Sequence, residues 1–317
     1  MRNILCVTLI ALLGGCTSTS VTEKYQDKRN DIINVKDKVI EFETGNVLIG
    51  SVSRLYMSNK CLLIADHKSV DKQIHIFNKN DFSYLTSIGN FGEGPEEITV
   101  MGCLAIDEAH HQLYVSDHAK QKIFSYDMDS VMVDSLYKPQ VKTAMNETLF
   151  PSEYQYINDT LSIAVLIKPT STSTFNQFLG RWNMNTGEMI PMKYTHPDIQ
   201  KKRITFAASE KAGIYVECYT RHDLMTICSL DGELLYNIYG PDWDGGNGNK
   251  LQSFGTVMIG NDKIFVSYCG EDYARDSFPT KILVFDLEGN YLKTLETGYK
   301  ISDCCYDSFN NRIILSL

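Results

Sequence analysis

Two Asp-His pairs, Asp66-His67 and Asp117-His118, contain the side chains best suited to chemistry. Each pair directly follows a short apolar run, LLIA before the first and LYVS before the second. Two imidazoles on neighbouring units could share a metal ion. Alternatively, each Asp accepts hydrogen bonds from backbone N–H groups of a tight loop, and each His is an exposed loop residue. The equivalent positions later in the chain hold no carboxylate; they are Val165, Cys218 and Tyr268. We therefore expect no symmetric ring of carboxylates, and neither a metal nor another cofactor.

Two irregular segments hold aromatic side chains suited to binding. One contains Trp243, one of 2 Trp in the chain, followed by Asp244. The other contains Tyr273 and Arg275. An aromatic surface flanked by carboxylates suits a sugar or a peptide better than a phosphate, although Trp243 could instead pack against Tyr239.

Other catalytic and metal-binding patterns fail on spacing. An EF-hand calcium loop starting at Asp242 would place Gly246 and Ser253 at its fifth and twelfth positions, where the ligands belong. Residues 221–223 combine Arg, His and Asp, but three consecutive loop residues rarely converge on one point. The chain has no Gly-x-Ser-x-Gly motif, so nucleophilic hydrolysis finds no support.

The cysteines do not form a recognisable metal or redox motif. None of the 9 Cys lies in a C-x-x-C pair, which argues against zinc and thioredoxin-like sites. Most lie in apolar runs and are predicted to be small buried hydrophobes. Cys218 and Cys228 could alternatively form a disulfide across one hairpin.

Short strands that repeat at an even spacing must position all of these residues. From Val39 onward, runs rich in Ile, Val, Tyr and Phe are bounded by Gly, Asn, Asp or Pro, which is typical of strands. The centres of the strongest runs lie 51, 48, 53, 50 and 49 residues apart, at Ile64, Val115, Ile163, Val216, Val266 and Leu315.

A period near 50 with about four strands per unit predicts an all-β, six-bladed β-propeller with four-stranded antiparallel blades. The last unit holds two strands, and Val39–Phe42 is predicted to join it and close the ring. A pair of β-sandwiches is the alternative, but it does not explain the even spacing.

One stretch of the first unit resembles a known repeat. Residues 62–98 read LLIADHKSVDKQIHIFNKNDFSYLTSIGNFGEGPEEI, which is similar to the NHL-type propeller repeat, and residues 113–126 match its first half. The segment with Gly92, Gly94 and Pro95 lacks the Gly-Lys-Ser/Thr of a phosphate loop. We interpret it as a structural loop that leads from the outer strand of one blade to the inner strand of the next.

The first sixteen residues have the pattern of a secretory signal: a charged start, a short apolar stretch and small residues. Leu13-Gly14-Gly15-Cys16 resembles the lipobox of bacterial lipoproteins, in which the cysteine is acylated; a chance Cys or a short buried helix are the alternatives. Together with the repeats, this resembles the six-bladed, TolB-like propeller lipoproteins common in Bacteroidetes.

The resemblance implies a domain order and a cellular location. Residues 1–15 are predicted to be the signal peptide, 16–30 the lipidated Cys and a flexible tether, and 31–317 the propeller. The expected location is the cell envelope, on the outer membrane facing the periplasm. The formal charge of −9, from 30 Lys+Arg and 39 Asp+Glu, argues against a nucleic-acid partner.

Propeller loops on one face are the expected binding surface, because function resides more often in loops than in packed blades. The candidate binding residues are Trp243, Asp244, Tyr273, Arg275, Tyr219, Arg221, His222, His67 and His118. The sequence favours a binding or scaffold module with a protein, peptide or glycan partner. The alternative is a propeller enzyme, such as a metal-dependent lactonase or a lyase, with Glu, Asn and Asp converging at the channel.

Replacing Cys16 tests the predicted anchor. Cys16→Ala should abolish labelling by a fatty-acid analogue and release the protein from membranes, because the acylated thiol is lost. The matched control is Cys6→Ala, which alters a residue inside the cleaved leader and should leave labelling intact. A Cys16→Ala protein that still carries the label would refute the assignment.

Overall fold

The computed structural model describes residues 22–134, 136–246, 251–275 and 277–317. The predicted leader and Cys16 lie outside the described residues. Within them, 24 strands form six sheets, which confirms the predicted propeller. Five sheets have four strands of their own, and the sixth has two.

The strands have the following bounds. The N-terminal strands are β1 (Glu23–Tyr25) and β2 (Ile32–Asn34). The first blade contains β3 (Ser53–Met57), β4 (Cys61–Asp66), β5 (Lys72–Asn78) and β6 (Tyr84–Asn90). The second contains β7 (Met101–Asp107), β8 (Gln112–Asp117), β9 (Lys122–Asp127) and β10 (Gln140–Ala144), with the short helix α1 (Met128–Val133). The third contains β11 (Phe150–Asn158), β12 (Leu161–Pro169), β13 (Phe175–Trp182) and β14 (Met189–Pro191).

The remaining blades continue the pattern. The fourth contains β15 (Ile204–Ser209), β16 (Ile214–Tyr219), β17 (Leu224–Ser229) and β18 (Leu234–Tyr239). The fifth contains β19 (Leu251–Gly260), β20 (Lys263–Asp272), β21 (Lys281–Asp286) and β22 (Tyr291–Glu296). The sixth contains β23 (Asp303–Asp307) and β24 (Arg312–Ser316). One-turn 3-10 helices occupy Lys36–Lys38 and Tyr273–Arg275.

The core lies between neighbouring blades rather than inside any one of them. One cluster joins Leu63 and Ile74 of the first blade to Leu104 and Val115 of the second. Every residue of β16 is buried, because both faces of that blade are covered. The innermost strand of each blade lines the central axis, and β23 packs against both β19 and β3, so the ring closes.

The predicted flexible tether is partly structured. β1 pairs in parallel with β18, and β2 pairs in parallel with β22, so the N-terminal segment adds a fifth strand to the fourth and fifth blades. Tyr25 stacks on Tyr239 with ring centroids 4.5 Å apart. In the part of residues 16–30 that the structure describes, the chain is therefore a strap bound to the outer edge of the propeller.

The predicted closure of the last blade by Val39–Phe42 is wrong in its detail. Among the described residues, no strand from the N-terminal segment pairs with β24. Instead Phe42 stacks on Phe82 at 4.1 Å, and Val47 and Ile49 pack on the cluster that contains Ile314. Side-chain packing covers this blade here, because the N-terminal strands already satisfy their hydrogen bonds on the two preceding blades.

A buried ion pair fastens the strap between the fourth and fifth blades. Arg29 Nη1 lies 2.9 Å from Asp223 Oδ1, with side chains 8% and 0% exposed. The guanidinium also lies over the rings of Phe254, Tyr268 and Phe285, with Cζ between 5.3 and 5.8 Å from their centroids. The positive charge that pairs with Asp223 thus comes from the N-terminal segment, 194 residues earlier in the chain.

The strand register does not place Cys218 and Cys228 opposite each other, as the possible disulfide would require. Seven cysteines in the described residues are free and buried. Cys218 lies opposite Met225, and Cys228 lies opposite Tyr215, so the two do not face each other across their hairpin.

In the same described residues, no helix is long and apolar enough to cross a membrane.

Removing Arg29 tests the strap. Arg29→Ala should lower the free energy of unfolding by about 3–5 kcal/mol, because it leaves the buried Asp223 carboxylate without its positively charged partner. Urea denaturation followed by circular dichroism measures the loss. The control is Lys28→Ala, whose exposed side chain should contribute little. Equal midpoints for the two variants would contradict a structural role for the strap.

Candidate functional site

Asp66 defines the face of the propeller at which the innermost strands begin. Its Oδ2 accepts a hydrogen bond from Gly50 N at 2.7 Å, and its Oδ1 accepts one from Lys68 N at 2.9 Å. Gly50 lies in the connection that leads into β3, and Lys68 lies in the loop after β4. Inter-blade connections and loops after second strands therefore share one face, which we call the entry face.

Asp117 has the same role in the second blade. Its carboxylate accepts hydrogen bonds from Thr99 N at 2.8 Å, Val100 N at 3.2 Å and Ala119 N at 3.0 Å, and it is fully buried. Each of these carboxylates accepts hydrogen bonds from backbone N–H groups of the loop that follows its strand and of the connection that leads into its blade. They do not point into the channel as a pair.

The Gly-rich segment is held by one carboxylate. Glu97 Oε2 accepts from Gly94 N at 2.8 Å, and a Cβ on Gly92 would lie only 2.0 Å from the same oxygen. Lys120 Nζ donates to the carbonyls of Gly94 and Glu97. Pro95 is exposed beside these contacts. The segment is thus a compact connection between the first two blades.

The central channel contains a cavity with a volume of about 410 Å³. All six innermost strands line it. The lining residues nearest the entry face, one from each strand, are mostly polar; they are Arg54, Cys103, Glu153, Thr205, Thr256 and Asp303. The lining residues at the other end are mostly apolar; they are Met57, Ile106, Ile157, Ala208, Ile259 and Tyr306, and the polar side chains of Gln155 and Tyr156 lie between the two ends. The channel is therefore polar toward the entry face and apolar toward the opposite face.

An ion pair joins the first and third blades within the channel. Arg54 Nη2 lies 2.8 Å from Glu153 Oε1, with side chains 44% and 36% exposed. Burial opposes the charged guanidinium, but Glu153, Tyr56 and Asp303 together outweigh it and raise the pKa of Arg54. The pair offers both donors and an acceptor to a ligand that enters from solvent.

A second channel carboxylate, Asp303, joins three blades. Its Oδ1 accepts from Thr256 Oγ1 at 2.6 Å, and its Oδ2 accepts from Leu55 N at 2.8 Å. Burial raises the pKa of Asp303, while these hydrogen bonds and Arg54 oppose the rise. Because the carboxylate links the fifth, sixth and first blades, we assign it chiefly to ring closure.

The two predicted histidines lie beside this polar end. His67 Nδ1 lies 3.2 Å from Met101 O, so that nitrogen donates and Nε2 is left without a hydrogen-bond partner. His118 Nε2 is also unpartnered and packs over Gly102, where a Cβ would lie 2.4 Å from it. Burial lowers the pKa of both imidazoles, and the charge of Arg54 lowers that of His67 further. Both rings are therefore neutral at pH 7.

In the described part of the chain, no group of three possible metal ligands includes His67 or His118. Among the described residues, only Asp107, His110 and Asp159 bring three possible donor atoms within 4.8 Å. This group lies at the opposite end of the blades, where β7 ends. The sixth blade repeats its geometry at the end of β23, where Asp307 Oδ2 accepts from Asn310 Nδ2 at 2.7 Å. The Asp107–His110 contact is thus a recurring turn.

Trp243 is a packing residue in the fourth blade. Its ring lies against His196, His222 and Tyr239, with centroids 5.6, 5.9 and 5.0 Å away. His222 is 7% exposed and Tyr219 is fully buried. The candidate binding residues Trp243, His222 and Tyr219 therefore pack within the protein and hold the loops in place. For Trp243 this is the packing alternative given by the sequence.

Other candidates in this region are available to solvent. Tyr273 is 50% exposed, and the guanidinium carbon of Arg221 lies 3.0 Å from its ring centroid. Asp244 and Arg275 are exposed as well. The fourth and fifth blades thus present a cation–aromatic pair on the entry face, whereas His67 and His118 belong to the first and second blades.

Arg54 and Glu153 are the site residues that the sequence analysis missed. Both lie ten residues before the centre of their repeat, Ile64 and Ile163 respectively. This shared phase was the available signal, since equal phase in a propeller means equal position on the channel wall. The sequence analysis did not recognise the shared position, because Arg54 is basic and Glu153 is acidic.

Substitution separates packing from exposed residues on the entry face. Trp243→Ala should lower the free energy of unfolding by about 2–4 kcal/mol, because its contacts with three rings are lost. Tyr273→Ala should cost less than about 1 kcal/mol, because it removes one exposed cation–π contact. Chemical denaturation measures both, and equal losses would contradict the packing role of Trp243.

Comparison with known proteins agrees with this architecture. The model of a family described as "DUF5128: 6-bladed beta-propeller" matches residues 17–177. No curated protein matches the chain. A protein of Bacteroides fragilis described as exported shares 14% identity, with a TM-score of 0.54 and coverage of 88% of this chain and 80% of that chain.

Two further solved structures show the same fold. A DUF4221 family member from Bacteroides vulgatus has 9% identity and a TM-score of 0.56, covering 83% of this chain and 92% of that chain. A gluconolactonase from Xanthomonas campestris has 14% identity and a TM-score of 0.50, covering 81% and 78%. At these identities the likeness concerns the fold alone. The family match spans half of the sequence, and the chain belongs to the DUF5128 family of six-bladed β-propellers.

Proposed function

We propose that this protein is a lipid-anchored propeller of the bacterial cell envelope that binds a small polar ligand, a glycan fragment or a peptide, at the entry face. The observation that carries the proposal is the Arg54–Glu153 ion pair at the polar end of a 410 Å³ channel. A charged pair that is partly open to solvent can exchange its contacts for those of a ligand at little cost.

The neighbouring imidazoles support a polar ligand rather than an apolar one. His67 and His118 each retain a buried Nε2 without a partner. A buried polar atom without a hydrogen bond costs about 1–3 kcal/mol, and a ligand that bonds to it recovers that free energy. The exposed pair of Arg221 and Tyr273 extends the same face with a surface on which a sugar or peptide can stack.

The anchor is supported by the resemblance of Leu13–Cys16 to a lipobox and by the NHL-type and TolB-like repeats. Only six peptide steps separate Cys16 from Thr22, beside which the strap begins. Extended chain of that length spans about 20 Å. The proposed lipid would therefore hold the outer edge of the fourth blade close to the membrane, on the outer membrane facing the periplasm.

The enzymatic alternative has less support from the described residues. A metal-dependent lactonase or lyase needs several free oxygen or nitrogen donors at the channel. Glu153 is paired with Arg54, and Asp303 accepts from Thr256 and Leu55. Lactone hydrolysis by the purified protein that appears on addition of a divalent cation would favour the enzyme instead.

Arg54→Gln tests the binding site. A panel of oligosaccharides and extended peptides is screened against the mature protein by saturation-transfer NMR, and Kd values of the hits are measured by calorimetry. Arg54→Gln should weaken binding at least tenfold, about 1.4 kcal/mol, because a charge-assisted contact is lost.

The matched control is Arg181→Gln, which breaks an exposed ion pair between the third blade and Asp231 of the fourth blade. It should leave Kd unchanged. Melting curves verify that both variants are folded. Hits that bind wild type and Arg54→Gln with equal affinity would place the site elsewhere, and a panel without hits would count against a small polar ligand.

A further inference from the structure

A further cavity lies between the first two blades, on the face opposite the entry face. Its volume is about 150 Å³. The floor consists of buried apolar side chains of the interblade core, namely Cys61, Leu63 and Leu113. It is distinct from the central channel, although Ile106 borders both. A cavity of about 150 Å³ holds one benzene ring, so this cavity fits a single aromatic or branched aliphatic group.

One wall of this cavity is formed by an insertion in the second blade. That blade connects its third and fourth strands with residues 128–139, whereas the equivalent connections of the other four-stranded blades are shorter; they are residues 79–83, 183–188, 230–233 and 287–290. The inserted residues include α1, which supplies Met128 and Met132 to the cavity. The two side chains are four positions apart, so they share one side of the helix. Unbranched Met side chains adapt to the shape of an apolar group.

Carboxylates predominate at the mouth of the cavity. Glu108 and Asp129 are exposed there, and Lys60 is the exposed lysine beside them. Glu108 Oε1 accepts a hydrogen bond from Asn59 N at 2.7 Å, and Asp129 Oδ2 lies 2.7 Å from His111 Nδ1. A carboxylate can accept about four hydrogen bonds, so both retain capacity for a ligand.

The surrounding surface carries charge of the same sign. On this face, the blades turn between their first and second strands and between their third and fourth strands. The residues of these turns include eleven Asp or Glu, four Lys and two His. Such a concentration of negative charge raises the local concentration of cations. The mouth of the cavity therefore favours a positively charged group beside the apolar one.

We propose that this cavity binds an apolar cation, in which one aromatic or branched aliphatic group carries a protonated amine nearby. The apolar group packs on the floor of the cavity against Met128 and Met132, and the amine donates hydrogen bonds to Glu108 or Asp129. A small free amine and a protein segment in which Lys adjoins an apolar residue share this chemistry. The proposal is independent of the ligand proposed for the entry face.

Two probes of similar size and opposite charge test the site. They are 2-phenylethylamine and 3-phenylpropionate. Binding to the mature protein is followed by NMR of methionines labelled with ¹³C at the methyl group, and the signals of Met128 and Met132 are assigned with Met→Leu variants. The amine should shift both signals and should bind at least tenfold more tightly than the carboxylate.

A pair of variants on α1 tests the cavity. Met132→Trp should fill it and weaken binding of the amine at least tenfold. The matched control is Val133→Trp, which alters the neighbouring side chain that is 86% exposed and does not line the cavity. It should change the affinity less than twofold.

A second set of variants tests the charge. Glu108→Gln combined with Asp129→Asn should reduce the preference for the amine to below threefold, while the remaining amide oxygens can still accept the native hydrogen bonds. Asp262→Asn, at an exposed carboxylate on the same face of the fifth blade, is the control and should leave the preference unchanged. Melting curves verify that all variants are folded.

A capped dipeptide distinguishes the two sources of the amine. Tighter binding of N-acetyl-Phe-Lys-amide than of 2-phenylethylamine would support a basic protein segment, and weaker binding would support a small amine. Equal affinity for 2-phenylethylamine and 3-phenylpropionate, or a preference for the carboxylate, would overturn the proposal. Binding that leaves both methionine signals unchanged, or absence of binding at millimolar amine, would overturn it as well.

Discussion

Every blade of this propeller is apolar on both faces, so each is stable only when two others cover it. β4 and β16 are buried along their full length for this reason, and the clusters that contain them join residues of adjacent blades. Such packing can end only by closing on itself. Asp303 performs that closure by accepting hydrogen bonds from Leu55 of the first blade and Thr256 of the fifth.

The N-terminal strap shows how a polar segment becomes part of such a structure. Residues 22–34 contain too few apolar side chains to form a core, and alone they have no regular pattern. Parallel pairing with β18 and β22 satisfies their backbone, and Arg29 finds a buried carboxylate at Asp223. A short strap also restricts how far the propeller can lie from the proposed lipid at Cys16.

The channel combines rigidity with a difference in polarity between its ends. Its walls are the inner strands, whose positions are set by the interblade clusters, so Arg54 and Glu153 are held at 2.8 Å by two separate blades. The loops around Trp243 and Tyr273 differ in kind: the first is packed against three rings, whereas the second is exposed. The proposed ligand on the entry face would therefore meet fixed polar groups in the channel and an exposed aromatic side chain, Tyr273, beside it.

The sequence by itself determined the repeat, the number of blades and the loops around Asp66 and Asp117, because strand periodicity and turn residues are local properties that recur. It also placed Trp243 and Tyr273 in irregular segments between strands. Only the tertiary structure decided that Arg29 reaches Asp223, that Trp243 is packed, and that Arg54 meets Glu153. Arg29 and Asp223 are 194 positions apart, Arg54 and Glu153 are 99 apart, and Trp243 and its partner His196 are 47 apart. Closure of the ring and packing of the loops decide which of these residues touch. The pairing of the strap with the fourth and fifth blades, in place of the sixth, was likewise invisible in the sequence, because backbone hydrogen bonds carry no side-chain signature.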